Sequence, residues 1–285
     1  MKRKNVVELE GREATPTELE RCHDKRYIKR IRNRLLFDYT VDTKIESSLS
    51  NDMFASRDSY TAALVSAGCA ISLADAFLQQ KIACGFAIVR PPSHHSKCGN
   101  CGGFCYFNGT ALTAVKLSDA GKKVLIVDID CHLGNGTVNV LKSSLHKRNE
   151  SIRYFSIHRY DDGKFYPGGR QGQSRDIRSR IALVGFNGPQ GDDYYAEQFL
   201  RYFTDEQKEI FQPDVIVVSA GFGSAIGDPV GQCFVTANGY RQMTRKMLDY
   251  CPNVLMILEG GYNLESLAKC SYACIDEMHE FIKKI

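Results

Sequence analysis

The stretch VLIVDIDCHLGNGT, residues 124–137, decides the fold. Its first half is an apolar run without helical period, which reads as a strand near 124–130 buried on both faces. GNGT then reads as a tight turn into a helix. Working outward, similar short strands are expected near 85–89 (GFAIV), 152–158 (IRYFSIH), 181–184 (IALV), 214–219 (DVIVVS) and 254–258 (VLMIL). Helices are expected near 107–120, 192–211, 236–250 and 263–284, so the two kinds of element alternate. Upstream, TPTELERC gives a Thr cap, an early Pro and a capping-box Glu for a helix over 15–34. Residues 59–79 are an Ala-rich apolar helix, expected to be buried on much of its circumference. This pattern predicts a single α/β domain: a mainly parallel β-sheet flanked by helices on both faces, with the active site at the carboxyl ends of the strands.

Composition narrows the function classes. The 285 residues carry no internal repeat or low-complexity linker, so one domain over residues 1–285 is expected. No apolar run reaches eighteen residues, and no membrane span is expected. The N-terminus, MKRKNVVELEGREATP, lacks an apolar signal region. The 11 cysteines therefore read as thiols rather than a disulfide framework, the sequons at Asn108, Asn135 and Asn149 carry no weight, and the expected location is nucleus and/or cytoplasm. A net charge of +4 does not by itself imply nucleic-acid binding, and no direct nucleic-acid motif is present. The basic stretch over 21–34 reads as the solvated face of a helix, and KRK is a weak nuclear-import patch.

The segments just beyond the strands are the most informative. RPPSHHSKCGNCGGFCYF comes after Val89, DIDCHLGNGT after Val127, HRYDDGKFYPGGRQGQ after Ile157, AGFGSAIGDP after Ser219 and EGGYNLES after Leu258. His, Asp, Gly and Tyr crowd these strand ends, as an active-site rim requires. Asp128, Asp130 and His132 form D-x-D-x-H, with the two acids on one side of an extended chain. Carboxylate oxygen and imidazole nitrogen together suit zinc or another borderline divalent ion. Two acids buried at one strand end cost several kcal/mol unless a cation or hydrogen-bond donors compensate them. His94 and His95 alone would read as surface histidines, but they share the rim with this motif. Tyr262, after two glycines, can donate to a developing oxyanion, although alone it reads equally as a half-buried tyrosine. Cys98, Cys101 and Cys105 read as thiols near the rim, without a second pair at zinc spacing. GFGSAIG has the wrong spacing for a dinucleotide loop, and no G-x-S-x-G or P-loop occurs.

In order along the chain, these segments resemble the zinc-dependent histone deacetylase family (arginase/deacetylase fold), and most closely its class II branch. REATPTELERCHDKRYI, GFAIVRPPSHHS, GFCYFNGTALTA, VLIVDIDCHLGNGT, FSIHRYDDGKFYPG, VIVVSAGF, GDPVGQCFVTANGY and LEGGYNLESLA carry the resemblance over about residues 12–270. Relative to the family, the domain reads as short at its front. The resemblance implies that Asp130 and His132 are two of three zinc ligands. His94 and His95 match the general base and acid pair, with Asp128 orienting the first and Asn135 partnering the second. Tyr262 matches the tyrosine that polarises the acetyl carbonyl, and Phe104 and Tyr166 match the walls of the channel for the lysine chain. The implied reaction is hydrolysis of acetyl-lysine on a histone or other protein. The implied setting is chromatin-linked transcriptional regulation, with deacetylase or co-repressor complex subunits as partners.

Two positions depart from the pattern. The family's third zinc ligand, an aspartate directly after AGF, is here Gly223, and a histidine that follows His132 is here Leu133. Losing one of three ligands costs around 3 kcal/mol of metal affinity, about a hundredfold. Ser224 is a weak ligand, and Asp228 already matches a separate family position, so local rescue is not expected from either. Three functions are open: a deacetylase of weak or absent activity whose metal site tolerates the gap, with a substitute ligand from another loop as one route, an inactive family member serving as a binding or scaffolding subunit, and a polyamine or small-amide hydrolase on the same fold, which no feature of the rim favours.

Overall fold

A computed structural model describes residues 6–37, 53, 56–147 and 149–284. Six strands, β1 (Cys84–Ala87), β2 (Val124–Asp128), β3 (Ile152–Arg159), β4 (Ile181–Phe186), β5 (Val215–Ala220) and β6 (Val254–Leu258), form one sheet in the order β1-β6-β5-β2-β3-β4. Every pairing is parallel. The apolar strands explain themselves once the helices are placed. Val124 and Ile126 of β2, Val215 and Val217 of β5, and Leu255 and Ile257 of β6 enter one core. That core is closed by α1 (Pro16–Leu19), α2 (Lys25–Phe37), α3 (Ser59–Leu78), α4 (Gly109–Asp119) and α5 (Asn135–Lys142). The intervening Leu125, Val127, Ile216, Val218, Val254 and Met256 enter a second core on the opposite face. There α6 (Asp192–Tyr202), α8 (Ala237–Tyr250) and α9 (Leu264–Ile282) cover the sheet. Burial of each such side chain stabilises by about 1.5–3 kcal/mol, so neither face of these strands tolerates a polar alternation.

The two-faced parallel sheet agrees with the sequence reading, while two expected helices are broken. Residues 15–34 form α1 and α2, separated by a turn. The capping box between Thr15 and Glu18 starts α1 as expected. The chain then turns because buried His23 reaches inward, its Nδ1 donating to the Lys97 carbonyl (2.9 Å) and its Nε2 accepting from the Asn108 amide (2.9 Å). The helix expected over 192–211 divides into α6 and α7 (Asp205–Ile210), where buried Phe203 leaves helical geometry and Thr204 caps the second piece. α3 is long and apolar enough to cross a bilayer by composition, but here it packs against α4 and β1 with much of its surface in the core.

The connections locate the site. From β2 the chain moves through α5 to β3 on one side; from β5 it moves through α8 to β6 on the other. These two helices lie on opposite faces of the sheet, so the strand order reverses between β2 and β5. A crevice opens at the carboxyl ends of strands at such a switch point. Asp130 leaves β2, and Gly223 leaves β5, at that edge.

Candidate functional site

The loop after β1 has the longest path to the crevice, because β6 and β5 stand between β1 and β2. A buried carboxylate at the end of β6 supports it. Glu259 Oε2 accepts from the amides of Ser93 (2.5 Å) and His94 (3.0 Å), and Oε1 from the hydroxyls of Ser93 (2.6 Å), Thr110 (3.1 Å) and Ser219 (3.1 Å). Ser219 belongs to β5, so the carboxylate ties the β1 loop to two strands that it crosses. His94 and His95 are thereby buried, 2% and 5% exposed, rather than set out in solvent.

Each histidine is then oriented by a different acceptor. His94 Nδ1 donates to Asp128 Oδ2 at 3.0 Å, and the Tyr154 hydroxyl donates to the same oxygen at 2.9 Å. His95 Nδ1 pairs with Asn135 Oδ1 at 2.8 Å. A carbonyl only accepts, so the proton lies on Nδ1 and the lone pair on Nε2. Burial opposes charge on His94, but the carboxylates of Asp128, Glu259 and Asp130 prevail and raise its pKa to about 10. Burial, reinforced by the charges of His94 and His132, holds His95 well below the usual imidazole range. The two neighbouring rings, 4.1 Å apart between centroids, are thus pushed in opposite directions.

Asp130 and His132 meet just beyond β2. The Asp130 Oδ1 accepts from the amide of His132 (2.8 Å) and lies 2.9 Å from its Nδ1. Gly221 on the neighbouring β5 loop has to be glycine, because a Cβ there would overlap the Asp130 carboxylate. Burial works against the Asp130 charge, yet His94 and the bonds from His132 hold its carboxyl below the ordinary range. Donor atoms of Asp130, Cys131 and His132 all lie within 4.8 Å of one another and are buried. Oxygen, sulfur and nitrogen in one buried cluster match the donor preferences of zinc, so this group of residues fits the metal.

Aromatic rings close the rim. Tyr166 stands edge-on to His95 with centroids 4.9 Å apart, and Phe165 stacks on His132 at 5.0 Å. Phe104 packs edge-on to Tyr262 at 6.3 Å. Phe104, Tyr166 and Tyr262 are each a little over one-third exposed. Asp228 seats the tyrosine by accepting from its amide at 2.6 Å, while its other oxygen binds the amides of Val230 and Gly231. A Cβ built on Gly260 would lie 3.2 Å from the Tyr262 hydroxyl and 3.3 Å from Asp130 Oδ2, so the phenol turns inward over the acid. Burial, followed by the Asp130 charge, raises the Tyr262 pKa and keeps its phenol a proton donor.

The Histone deacetylase domain matches residues 1–278. The chain belongs to the histone deacetylase family. It is 36% identical to Histone deacetylase 18 of Arabidopsis thaliana over 96% of this chain and 41% of that protein. It is 32% identical to Histone deacetylase HDA1 of Candida albicans (strain SC5314 / ATCC MYA-2876), covering 94% of this chain and 33% of that protein. This histone deacetylase-family chain thus spans less than half the length of these relatives. The crystal structure of an HDA15 HD domain superposes with a TM-score of 0.84 at 34% identity, over 95% of this chain and 74% of that one.

The fold brings together His94, His95, Asp128, Asp130, His132, Asn135, Phe104, Tyr166 and Tyr262, the residues expected at the site. Gly223 also lies against this histone deacetylase-like site, its Cβ position 3.8 Å from Asp130 Oδ1. Ser224 bonds to the Tyr195 hydroxyl (2.6 Å), and Asp228 is committed to three amides, so both are already engaged. Leu133 is buried in the first core. Glu259, Tyr154 and Cys131 escaped the sequence reading. Glu259 had a visible signal, an acid directly after an apolar strand; the other two looked like strand and spacer residues.

Proposed function

We propose that this chain is a class II type, metal-dependent protein lysine deacetylase domain, with turnover lower than that of relatives carrying an acid at the Gly223 position. The histidine pair carries the reading: adjacent buried rings, one held by Asp128 and the other by Asn135, beside Asp130 and His132. Family membership and the similarity to HDA1-type deacetylases support it. Asp130 and His132 would hold zinc, which when bound lowers the pKa of water from 15.7 to about 7 and polarises a carbonyl. His95, with its lone pair on Nε2, takes the proton from the attacking water and delivers one to the lysine nitrogen as the amide C–N bond breaks. His94, kept protonated by Asp128, stabilises negative charge beside it. Tyr262 donates its phenolic hydrogen bond to the carbonyl oxygen as charge develops there. Phe104 and Tyr166 flank the methylene chain and exclude water from it.

The substrate in this reading is acetylated lysine on a histone or another protein, in the nucleus and/or cytoplasm, with co-repressor subunits as partners. Residues 1–285 form one such domain. Gly223 favours a second reading, an inactive member that binds acyl-lysine as a scaffold. Acetate release from an acetyl-lysine peptide separates the two. Turnover abolished by Tyr262→Phe and by His95→Ala is the expected result; peptide binding without turnover by the zinc-loaded wild-type chain would establish the scaffold instead.

A further inference from the structure

Cys131 and Gly223 lie on neighbouring loops, after β2 and β5, and their geometry is reciprocal. A Cβ on Gly223 would stand 2.6 Å from Cys131 Sγ. An aspartate carries its carboxylate oxygens about 2.4 Å from its own Cβ, by ordinary bond lengths and angles. The sulfur is therefore about as far from that point as the missing oxygens would be. It also adjoins one of the other two donors: Cys131 Sγ lies 3.3 Å from His132 Nδ1, which lies 2.9 Å from Asp130 Oδ1, and all three atoms fall within 4.8 Å of one another. Zinc bonds of about 2.0–2.1 Å to nitrogen or oxygen and 2.3 Å to sulfur separate tetrahedral donors by about 3.3–3.6 Å. The edges from His132 Nδ1 to the sulfur and to the Asp130 oxygen need to open by only a few tenths of an ångström, and the sulfur–oxygen edge needs to settle at the same separation within its 4.8 Å bound.

The surrounding backbone makes room for this sulfur. A Cβ on Gly231 would approach Cys131 Sγ to 2.8 Å, so glycines on both sides of one loop leave the thiol its volume. A cysteine serving only as apolar filling would not require contact with an imidazole nitrogen at the centre of a buried polar cluster. We propose that the Cys131 thiolate is the third protein ligand of the metal, replacing the carboxylate that Gly223 cannot supply. Binding forms one sulfur–metal bond and releases the thiol proton to solvent, with no change of oxidation state. The proposal rests on the reading of Asp130 and His132 as metal ligands.

Cobalt(II) binding tests it without reference to turnover. The chain is stripped with a chelator, loaded with cobalt(II), and followed by absorption and by competition with a chelator of known affinity. A thiolate ligand gives an intense near-ultraviolet charge-transfer band, which oxygen and nitrogen ligands lack. The wild-type chain should show that band. Cys131→Ser and Cys131→Ala should lose it and bind at least tenfold more weakly, because even outer-shell partners of a metal are worth about 10–100-fold. Gly223→Asp alone should not tighten binding, since its Cβ meets the sulfur; paired with Cys131→Ala it should recover affinity without the band. Circular dichroism confirms that the variants fold. A wild-type complex without the band, together with undiminished affinity in Cys131→Ala, would overturn the proposal while leaving Asp130 and His132 as ligands. Undiminished affinity in Asp130→Ala and His132→Ala would remove the underlying metal site as well.

Discussion

Glu259 lies behind the histidine pair and touches no expected substrate atom, so its replacement measures what positioning alone contributes. Two of its partners, the amides of Ser93 and His94, can only donate; the other three are hydroxyls that can rotate. In Glu259→Gln the amide oxygen can keep the two backbone donors while the new NH2 group faces the hydroxyls. Hydrogen bonds to a charged acceptor are worth about 1.5–3 kcal/mol and neutral ones about 0.5–1.5, so each retained bond weakens by about 1 kcal/mol. Removing a buried charge offsets part of this, for burial already raises the Glu259 pKa against the opposing charge of His94. A net loss of about 1–3 kcal/mol is expected for Gln. Glu259→Ala instead strands two buried amides at about 1–3 kcal/mol each and leaves a cavity, for a total of about 4–6 kcal/mol. With roughly 2–4 °C per kcal/mol for a chain of this size, melting should fall by several degrees in Gln and by about 10 °C or more in Ala. Deacetylation should follow the same order, with kcat falling before KM because the His94 backbone shifts. An Ala variant melting within about 2 °C of wild type would refute the claim that this carboxylate holds the loop.

Tyr154→Phe deletes one of the two hydrogen bonds to Asp128 Oδ2 without opening a cavity; it should cost about 1–3 kcal/mol of stability and lower kcat with KM unchanged, as steady-state kinetics would show. Asp228→Ala releases the Tyr262 amide and two others, so it should lower kcat strongly while Tyr262→Phe in that background adds less than it does in wild type. Burial lowers the pKa of both His23 and His158 from 6.5 to about 4. Their folded-state pKa values are depressed, so between pH 4 and 6.5 the unfolded chain binds more protons. Stability is full above about pH 6.5 and declines as pH falls toward 4, by an order of 3 kcal/mol per histidine. Urea unfolding across that range should show the slope, and His23→Gln should flatten it.

How much of the fold and site was legible depends on the range of each interaction. Strand ends and the D-x-D-x-H motif could be read because a buried strand and its exit are local patterns. The break at His23 could not, since it depends on Lys97 and Asn108, far along the chain. Gly223 stands out only beside the family pattern. Its meeting with Cys131 required the pairing of β2 with β5, which places Asp128 opposite Ser219. Between Asp130 and His132, a cysteine reads as a spacer until its sulfur is located. Glu259 is overshadowed in the sequence by Tyr262, three residues on, which carries more recognisable chemistry.

The sheet order also dictates when the site can exist during synthesis. β1 and β2 emerge early from the ribosome, yet two strands that separate them, β5 and β6, emerge late. Until residue 259 is available, the HHS loop has neither its bridge across the sheet nor the carboxylate that fastens it. The Asp130-Cys131-His132 segment, by contrast, is contiguous in the chain and waits only for the β5 loop that packs against it. A nascent chain would thus carry the Asp130-Cys131-His132 segment well before the histidine pair is seated, and a premature stop before β6 would leave the HHS loop without its anchor.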